Sequence, residues 1–269
     1  MTVRRIQELP SALDPECVGQ WIPKTTQGLV AVFLDYDGTI TPIVDRPDEA
    51  TLAAATRKRL DVLSKHCPVT IVTGRDVEVV RKFIQLDQLT YAGCHGLDIQ
   101  GPVGSGLRHE FAADRLTVVD SVEGCLREGL QHIDGVIIER KKYGVSVHYR
   151  LVKSSEVSLV NAAVVNATLK HKGLRRENGK KVFELVPDVP WDKGAAVNWI
   201  LGEICTTPCT PIYVGDDQTD ENAFSVMGDR GVPIVVADDE RMTVARYRLR
   251  NTREVTGLID LIIDALPSR

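Results

Sequence analysis

Several absences narrow the field before any motif is read. No long apolar stretch follows Arg4 and Arg5 before Pro10 and Asp14, so neither a signal peptide nor a membrane span is expected. A strong excess of one charge is missing as well. The formal net charge is -4, which argues against a general nucleic-acid binder and leaves room only for local basic patches. The six cysteines (17, 67, 94, 125, 205, 209) are scattered and include no C-x-x-C pair. They read as reduced thiols of a cytoplasmic protein. Low-complexity tracts are absent, and no repeat is longer than the doubled unit described below. What is present is ordinary globular composition, 43% hydrophobic and 26% charged over 269 residues, enough to bury one large or two modest domains.

The chain is organised around Val30-Ala-Val-Phe-Leu-Asp-Tyr-Asp-Gly-Thr39. Val30 to Leu34 is an unbroken apolar run of strand length, the pattern of a central parallel strand buried on both faces. It stops at two carboxylates one residue apart, Asp35 and Asp37, followed by Gly38, which permits a tight turn. Open α/β sheets place ligands in the loops beyond their strands' carboxyl ends. Taken alone, Asp-x-Asp-Gly also fits an acidic turn or a calcium loop. Asp45, Asp48 and Glu49 do not supply the further ligands that a helix–loop–helix calcium site needs.

On either side the pattern alternates. Residues 1–27, with Pro10, Pro15 and Pro23, read as an extended or partly helical leader. A helix is expected over about Asp48 to Lys65, a strand in Pro68 to Arg75, a helix over Val77 to Ile84 and a short strand to Tyr91. This order predicts a doubly wound, mostly parallel sheet, an α/β core spanning 28–112 and 188–269. Between them, 113–187 reads as helix–strand–strand repeated twice, an inserted α+β domain. Its hairpins are placed at Arg140 to Gly144 and around Asn178-Gly179. The α/β pattern resumes with a helix from Asp192, strands at Pro211 to Asp216 and Val232 to Val236, and a final helix over about Thr256 to Leu266.

Four elements thus end in polar groups of complementary kinds: Asp35 and Asp37; Thr73, Gly74 and Arg75; Lys193; and Asp216, Asp217 and Asp220. Parallel strands put these loops on one sheet edge. Asp35, Asp37 and Asp216 would form an oxygen site for a hard divalent cation such as magnesium. Thr73 and Lys193 suit phosphate oxygens, by a hydroxyl bond and a point charge. A carboxylate can then act as nucleophile.

Asp35-Tyr-Asp-Gly-Thr39, Thr73-Gly-Arg75, Lys193 and Gly215-Asp-Asp-Gln-Thr-Asp220 resemble the four motifs of haloacid-dehalogenase-superfamily phosphatases. Six further segments resemble the trehalose-6-phosphate phosphatase family within it. They are Gly93-x-His-Gly96, Glu139-x-Lys141, His148-Tyr-Arg150, Gly179-Lys-Lys-x-x-Glu184, Asp192-Lys-Gly194 and the acid run from Gly215 to Glu221. The likeness covers about residues 29 to 265. It implies a haloacid-dehalogenase-like core with the insert as a cap, and magnesium-dependent hydrolysis of a sugar phosphate. Asp35 would be the nucleophile and Asp37 the general acid and base. Asp35, the main-chain carbonyl of Asp37 and Asp216 would ligate magnesium, while Asp217 and Asp220 would fix Lys193 or metal-bound water. Phosphate monoesters call for up to ~10²¹-fold acceleration. Positioning, worth ~7–11 kcal/mol, falls short of that, so metal, lysine and covalent catalysis are all required.

For the sugar, the resemblance points to Glu139, Lys141 and Glu184, with Lys181, Arg150, His95, Gly96, Gly74 and Arg75 as further substrate contacts. Gly144 departs from the pattern, since many relatives carry Ser or Thr there. Cap opening is expected to hinge near Ala112 and Pro187. His95 reads equally as a sugar contact or a loop histidine, His148 as structural, and most basic residues of the insert as a solvated face. Trp191, Trp199 and Cys94 read as packing residues. A trehalose-phosphate synthase is the expected functional partner. The rival readings are a phosphatase for sucrose phosphate, glucosylglycerol phosphate or another glycosyl phosphate, a phosphotransferase, and a non-catalytic sugar-phosphate-binding regulator.

Overall fold

The computed structural model describes residues 2–26 and 28–267, without the side chains of 23–26. Residues 1, 27, 268 and 269, which belong to the expected leader and core, lie outside the described residues. In chain order the larger unit begins with β1 (Arg4–Arg5), α1 (Pro15–Thr26), β2 (Leu29–Leu34), α2 (Ala54–Leu63), β3 (Val69–Val72), α3 (Val77–Ile84), β4 (Thr90–Gly93), β5 (Asp98–Gln100) and β6 (Arg108–Glu110). The insert supplies α4 (Leu116–Leu130), β7 (Ile137–Lys141), β8 (Gly144–His148), α5 (Val157–Lys170), β9 (Leu174–Gly179) and β10 (Val182–Pro187). The chain closes with α6 (Lys193–Ile204), β11 (Cys209–Gly215), α7 (Asp220–Met227), β12 (Val232–Val236), β13 (Met242–Thr243), β14 (Tyr247–Leu249) and α8 (Thr252–Ala265). Two compact units result, Met1–His109 with Trp191–Arg269, and Glu110–Pro190. No helix among the described residues is long and apolar enough to cross a membrane.

The larger unit is an α/β layer structure around an eight-stranded sheet, ordered β14-β12-β11-β2-β3-β4-β5-β6. The strands from β14 to β4 run parallel, and β5 returns antiparallel to β4. The period of two along β2 divides the core. Val30, Val32 and Leu34 face one hydrophobic layer with Leu60, Leu63, Leu258 and Ile259. Ala31 and Phe33 face the other, with Ala196, Val197, Ile200 and Phe224. Apolar groups on both faces are why β2 reads as a continuous hydrophobic run.

The N-terminal segment, partly helical at α1, packs on the larger unit. Ile6, Leu9, Ala12 and Trp21 are buried in the larger unit, and β1 pairs with β13. The helix expected from Asp48 begins later, at Ala54, and Pro47–Glu49 forms only a single 3-10 turn.

The smaller unit carries an antiparallel sheet ordered β7-β8-β10-β9. Helices α4 and α5 cover one face, packing Val119, Val122, Val160 and Val164 against Val145, Val147 and Leu185. Register puts Glu139, Ser146, Glu184 and Glu177 in one row of the opposite face. Asn178 and Gly179 are strand residues, contrary to the turn expected there. Gly179 pairs with Val182, so the two-residue turn is Lys180-Lys181, with Lys181 at φ +67°.

Candidate active site

Parallel pairing of β2 with β11 and β3 brings the expected loops to one edge. Asp35 follows β2 directly, Thr73 follows β3, and Asp216 follows β11. Lys193 opens α6, whose N-cap Asp192 accepts a hydrogen bond from the Ala195 amide at 2.9 Å. That cap fixes the first turn and with it the lysine's starting direction.

Lys193 is 3% exposed, and its Nζ donates to Asp35 Oδ1 at 2.8 Å and Asp220 Oδ1 at 2.7 Å. Tyr213, on β11, donates its hydroxyl to the same Asp220 oxygen at 2.6 Å, and the Asp217 amide donates to Asp220 Oδ2 at 2.9 Å. Both Asp220 oxygens are therefore engaged by protein donors. Carboxylate oxygens of Asp35, Asp216 and Asp220 lie within 4.8 Å of one another, all buried. Burial pushes the Asp35 carboxyl well above the usual range; Lys193 pulls it back, and Asp220 and Asp216 push it further up. Burial also disfavours the Lys193 ammonium, but Asp220 and Asp35 outweigh it and hold the lysine charged. The Tyr213 hydroxyl is pushed up by burial and then by Asp220.

One ammonium among three buried carboxylates leaves an excess of negative charge, and hard oxygen donors fit a divalent cation such as magnesium. Since Asp220 is engaged, Asp35 and Asp216 are the carboxylates suited to ligate it. The turn crowds this corner. Gly38 has φ +85°, and a Cβ there would meet Asp216 Oδ2 at 2.1 Å. The Thr39 hydroxyl, fully buried in the same turn, has no hydrogen-bond partner among the described residues.

Asp37 takes another direction. Arg75 clamps it with two hydrogen bonds, Nε to Oδ2 and Nη2 to Oδ1, both 2.7 Å, and also donates to the Pro47 carbonyl at 2.8 Å. Arg75, expected against substrate, thus holds the Asp37 carboxylate, with the Tyr36 and Phe83 rings 5.6 and 5.4 Å from its guanidinium. The Arg75 amide donates to Thr73 Oγ1 at 3.2 Å, joining Gly74's neighbours on both sides into one turn. Asp217 is not bonded to Lys193; its Oδ1 accepts from the Gln218 amide. His95 and Gly96 lie just past β4, at φ +57° and +92°, and the His95 amide donates to the Thr73 carbonyl at 2.9 Å. A Cβ on Gly96 would meet the Ala196 Cβ at 2.3 Å, so this glycine lets the loop lie against α6.

In the smaller unit, Lys141 Nζ bonds Glu184 Oε1, which also accepts from Ser146 Oγ at 2.8 Å. Glu139 Oε2 lies 2.8 Å from His148 Nε2. Glu139, Lys141 and Glu184 therefore share one polar face. Arg150 and Lys181 lie toward the hairpin end, where Arg150 donates to the Lys180 carbonyl at 2.9 Å. Sequence reasoning missed Ser146 and Tyr213. Ser146 was legible as the polar position alternating within Val145-Ser-Val147, and Tyr213 as a strand tyrosine whose buried hydroxyl needs a partner.

A buried acid at the carboxyl end of a central parallel strand, held by a lysine from a later helix, defines the class: a haloacid-dehalogenase-like hydrolase fold. A haloacid dehalogenase-like hydrolase from Bacteroides thetaiotaomicron superposes with a TM-score of 0.63 at 14% identity, over 87% of this chain and 99% of that one. The C-terminal domain of Candida albicans trehalose-6-phosphate phosphatase superposes with a TM-score of 0.80 at 22% identity, over 96% of this chain and all of that domain. These likenesses are of fold. The family model described as trehalose-phosphatase matches residues 33–253, and the chain belongs to that family. It is 39% identical over 267 residues to the trehalose-phosphate phosphatase of Mycobacterium tuberculosis, covering 96% of this chain. The chain spans 66% of that relative's length.

Proposed function

We propose that this chain hydrolyses trehalose 6-phosphate to trehalose and phosphate, with magnesium bound and through an aspartyl-phosphate on Asp35. The observation that carries the reading is the Lys193 ammonium bonded to buried Asp35 beside Asp216. Family membership supplies the substrate class.

Asp35 attacks phosphorus in line with the departing sugar oxygen. Lys193, charged and already bonded to Asp35 Oδ1, stands where negative charge gathers on the phosphoryl oxygens. In this scheme the Thr73 hydroxyl, buried after β3, donates to a further phosphate oxygen. Asp37 protonates the leaving oxygen and later takes a proton from the water that hydrolyses phospho-Asp35. The Arg75 clamp serves this role by fixing the orientation of the Asp37 carboxylate. Asp35, Asp216 and the Asp37 carbonyl would hold a magnesium ion, which would supply charge neutralisation at the phosphoryl group.

The smaller unit acts as the cap that selects the sugar. Its polar face offers carboxylate, ammonium and hydroxyl groups together, the mixture that sugar hydroxyls require. Arg150 and Lys181 extend that face; His95 and Gly96, in the larger unit, are separately proposed as substrate contacts. We place the reaction in the cytoplasm, where a trehalose-phosphate synthase would supply the substrate.

The test is phosphate release from trehalose 6-phosphate with and without magnesium, alongside sucrose phosphate and glucosylglycerol phosphate. Release should need magnesium and favour trehalose 6-phosphate, and D35N should cut kcat by at least ~10⁴-fold. Turnover surviving in D35N removes the nucleophile from the scheme. Tight sugar-phosphate binding with no release would make the chain a sensor instead.

A further inference from the structure

The amino-end edge of the sheet, opposite the site, holds a cavity of about 290 Å³ between the end of α6 and the start of β11. Cys205, Thr207, Cys209 and Arg230 are among its lining residues. Cys205 is the C-cap of α6 and Cys209 opens β11, so the bend at 206–208 folds one thiol back onto the other. Both thiols line this cavity, and both residues are partly exposed. The proposed phosphoryl transfer uses neither. β11 runs seven residues from Cys209 to Gly215, a span of about 20 Å at strand rise.

We propose that Cys205 and Cys209 form an oxidisable dithiol, a modification site that hydroperoxides convert to a disulfide across the α6–β11 bend. Three features converge on it: two thiols that line one cavity across a short bend, an opening large enough to admit a small peroxide, and the Arg230 side chain lining the same cavity. Burial pushes the Cys209 thiol up, the Cys205 thiol beside it adds to this, and Cys67 adds a little more. Cys209 therefore stays protonated, and Cys205 is the thiol that meets the peroxide first. The Cys205 sulfur attacks the distal peroxide oxygen, the O–O bond breaks, and the alcohol leaves with the thiol's proton. The Cys209 sulfur then attacks the resulting sulfenic acid, forming S–S and releasing water. Two thiols are oxidised by two electrons, and one hydroperoxide is reduced to one alcohol.

Reduced full-length protein is treated with a slight excess of hydrogen peroxide, alkylated under denaturing conditions and mapped by mass. Trypsin leaves Cys205 and Cys209 in one peptide, because no Lys or Arg lies between Lys193 and Arg230. That peptide should lose two hydrogens and resist alkylation, and a reducing thiol should reverse both changes. C205S should slow loss of the Cys209 thiol at least about tenfold. Retained phosphate release would show that C205S is folded, and the wild-type map needs no variant. Added oxygen at either cysteine without hydrogen loss overturns the proposal, as does a bridge from Cys209 to Cys67. Neither outcome bears on the phosphatase reading.

Discussion

Lys193 brings one positive charge to three buried carboxylates, and its two hydrogen bonds decide which acids are left for other work. Replacing it with methionine strips the partner from Asp35 and Asp220 together. Breaking a buried pair in this way costs about 3–5 kcal/mol. The urea midpoint of K193M should fall accordingly without magnesium, and magnesium should recover part of the loss, since a cation replaces the missing charge. Equal midpoints for K193M and the native chain would mean that the acids are not held by this lysine. Tyr91 offers a pH test away from the site. Its hydroxyl donates to the Leu86 carbonyl at 2.7 Å, and burial pushes it from the ordinary 10 to about 12. A folded value above the unfolded one adds stability that is complete below pH 10 and lost as pH rises toward about 12. Denaturation at pH 8, 10 and 11.5, on the order of those bounds, should give a shallower decline for Y91F than for the native chain. Parallel slopes would dismiss the Tyr91 contribution. Legibility at this scale was uneven: residue type named Asp35 and Lys193, but the Arg75 clamp on Asp37 spans 38 positions and depends on how two loops meet.

Element by element, what could be read was what the backbone itself dictates. The β2 run and the helix Val77–Ile84 announced themselves by period and length, and α3 buries Val77, Val80 and Ile84 at helical spacing. The hairpin between β9 and β10 went the other way. Asn178-Gly179 is locally the stronger turn signal, yet pairing Phe183 with Asn178 and Leu185 with Arg176 sets the register, and Lys181 accepts a left-handed backbone. Short strands such as β5 and β6 carry too few residues for any period to show. The turn after β2 is where an element's geometry should control chemistry most directly. G38A places a Cβ where Asp216 Oδ2 now sits and strains a φ of +85°. We expect kcat to drop at least ~100-fold and the half-activating magnesium concentration to rise, with far-UV circular dichroism unchanged. Unaltered magnesium dependence would mean that Asp216 does not serve the cation.

On the scale of the whole molecule, the chain leaves the larger unit after His109 and re-enters it at Trp191. The rings of these two residues are 5.4 Å apart, and His109 also stacks on Trp199 at 4.8 Å, so exit and entry are neighbours on one support. The larger unit keeps its own hydrophobic layers on both faces of the sheet, built without any residue of the insert. The smaller unit likewise has its own core. The boundaries expected from the alternation of helix and strand, Ala112 and Pro187, fall inside the Glu110–Pro190 unit. A unit with a closed core and adjacent ends should fold after excision of Glu110–Pro190 and bridging by a linker of roughly five Gly and Ser residues. Asp35, Thr73, Lys193 and Asp216 all stay behind in such a protein, whereas Glu139, Lys141 and Glu184 leave with the insert. Hydrolysis of p-nitrophenyl phosphate should therefore survive within about tenfold, while the preference for trehalose 6-phosphate over other phosphate esters disappears. A soluble, folded excision product that still selects trehalose 6-phosphate would move sugar recognition out of the smaller unit and onto the loops at the sheet edge.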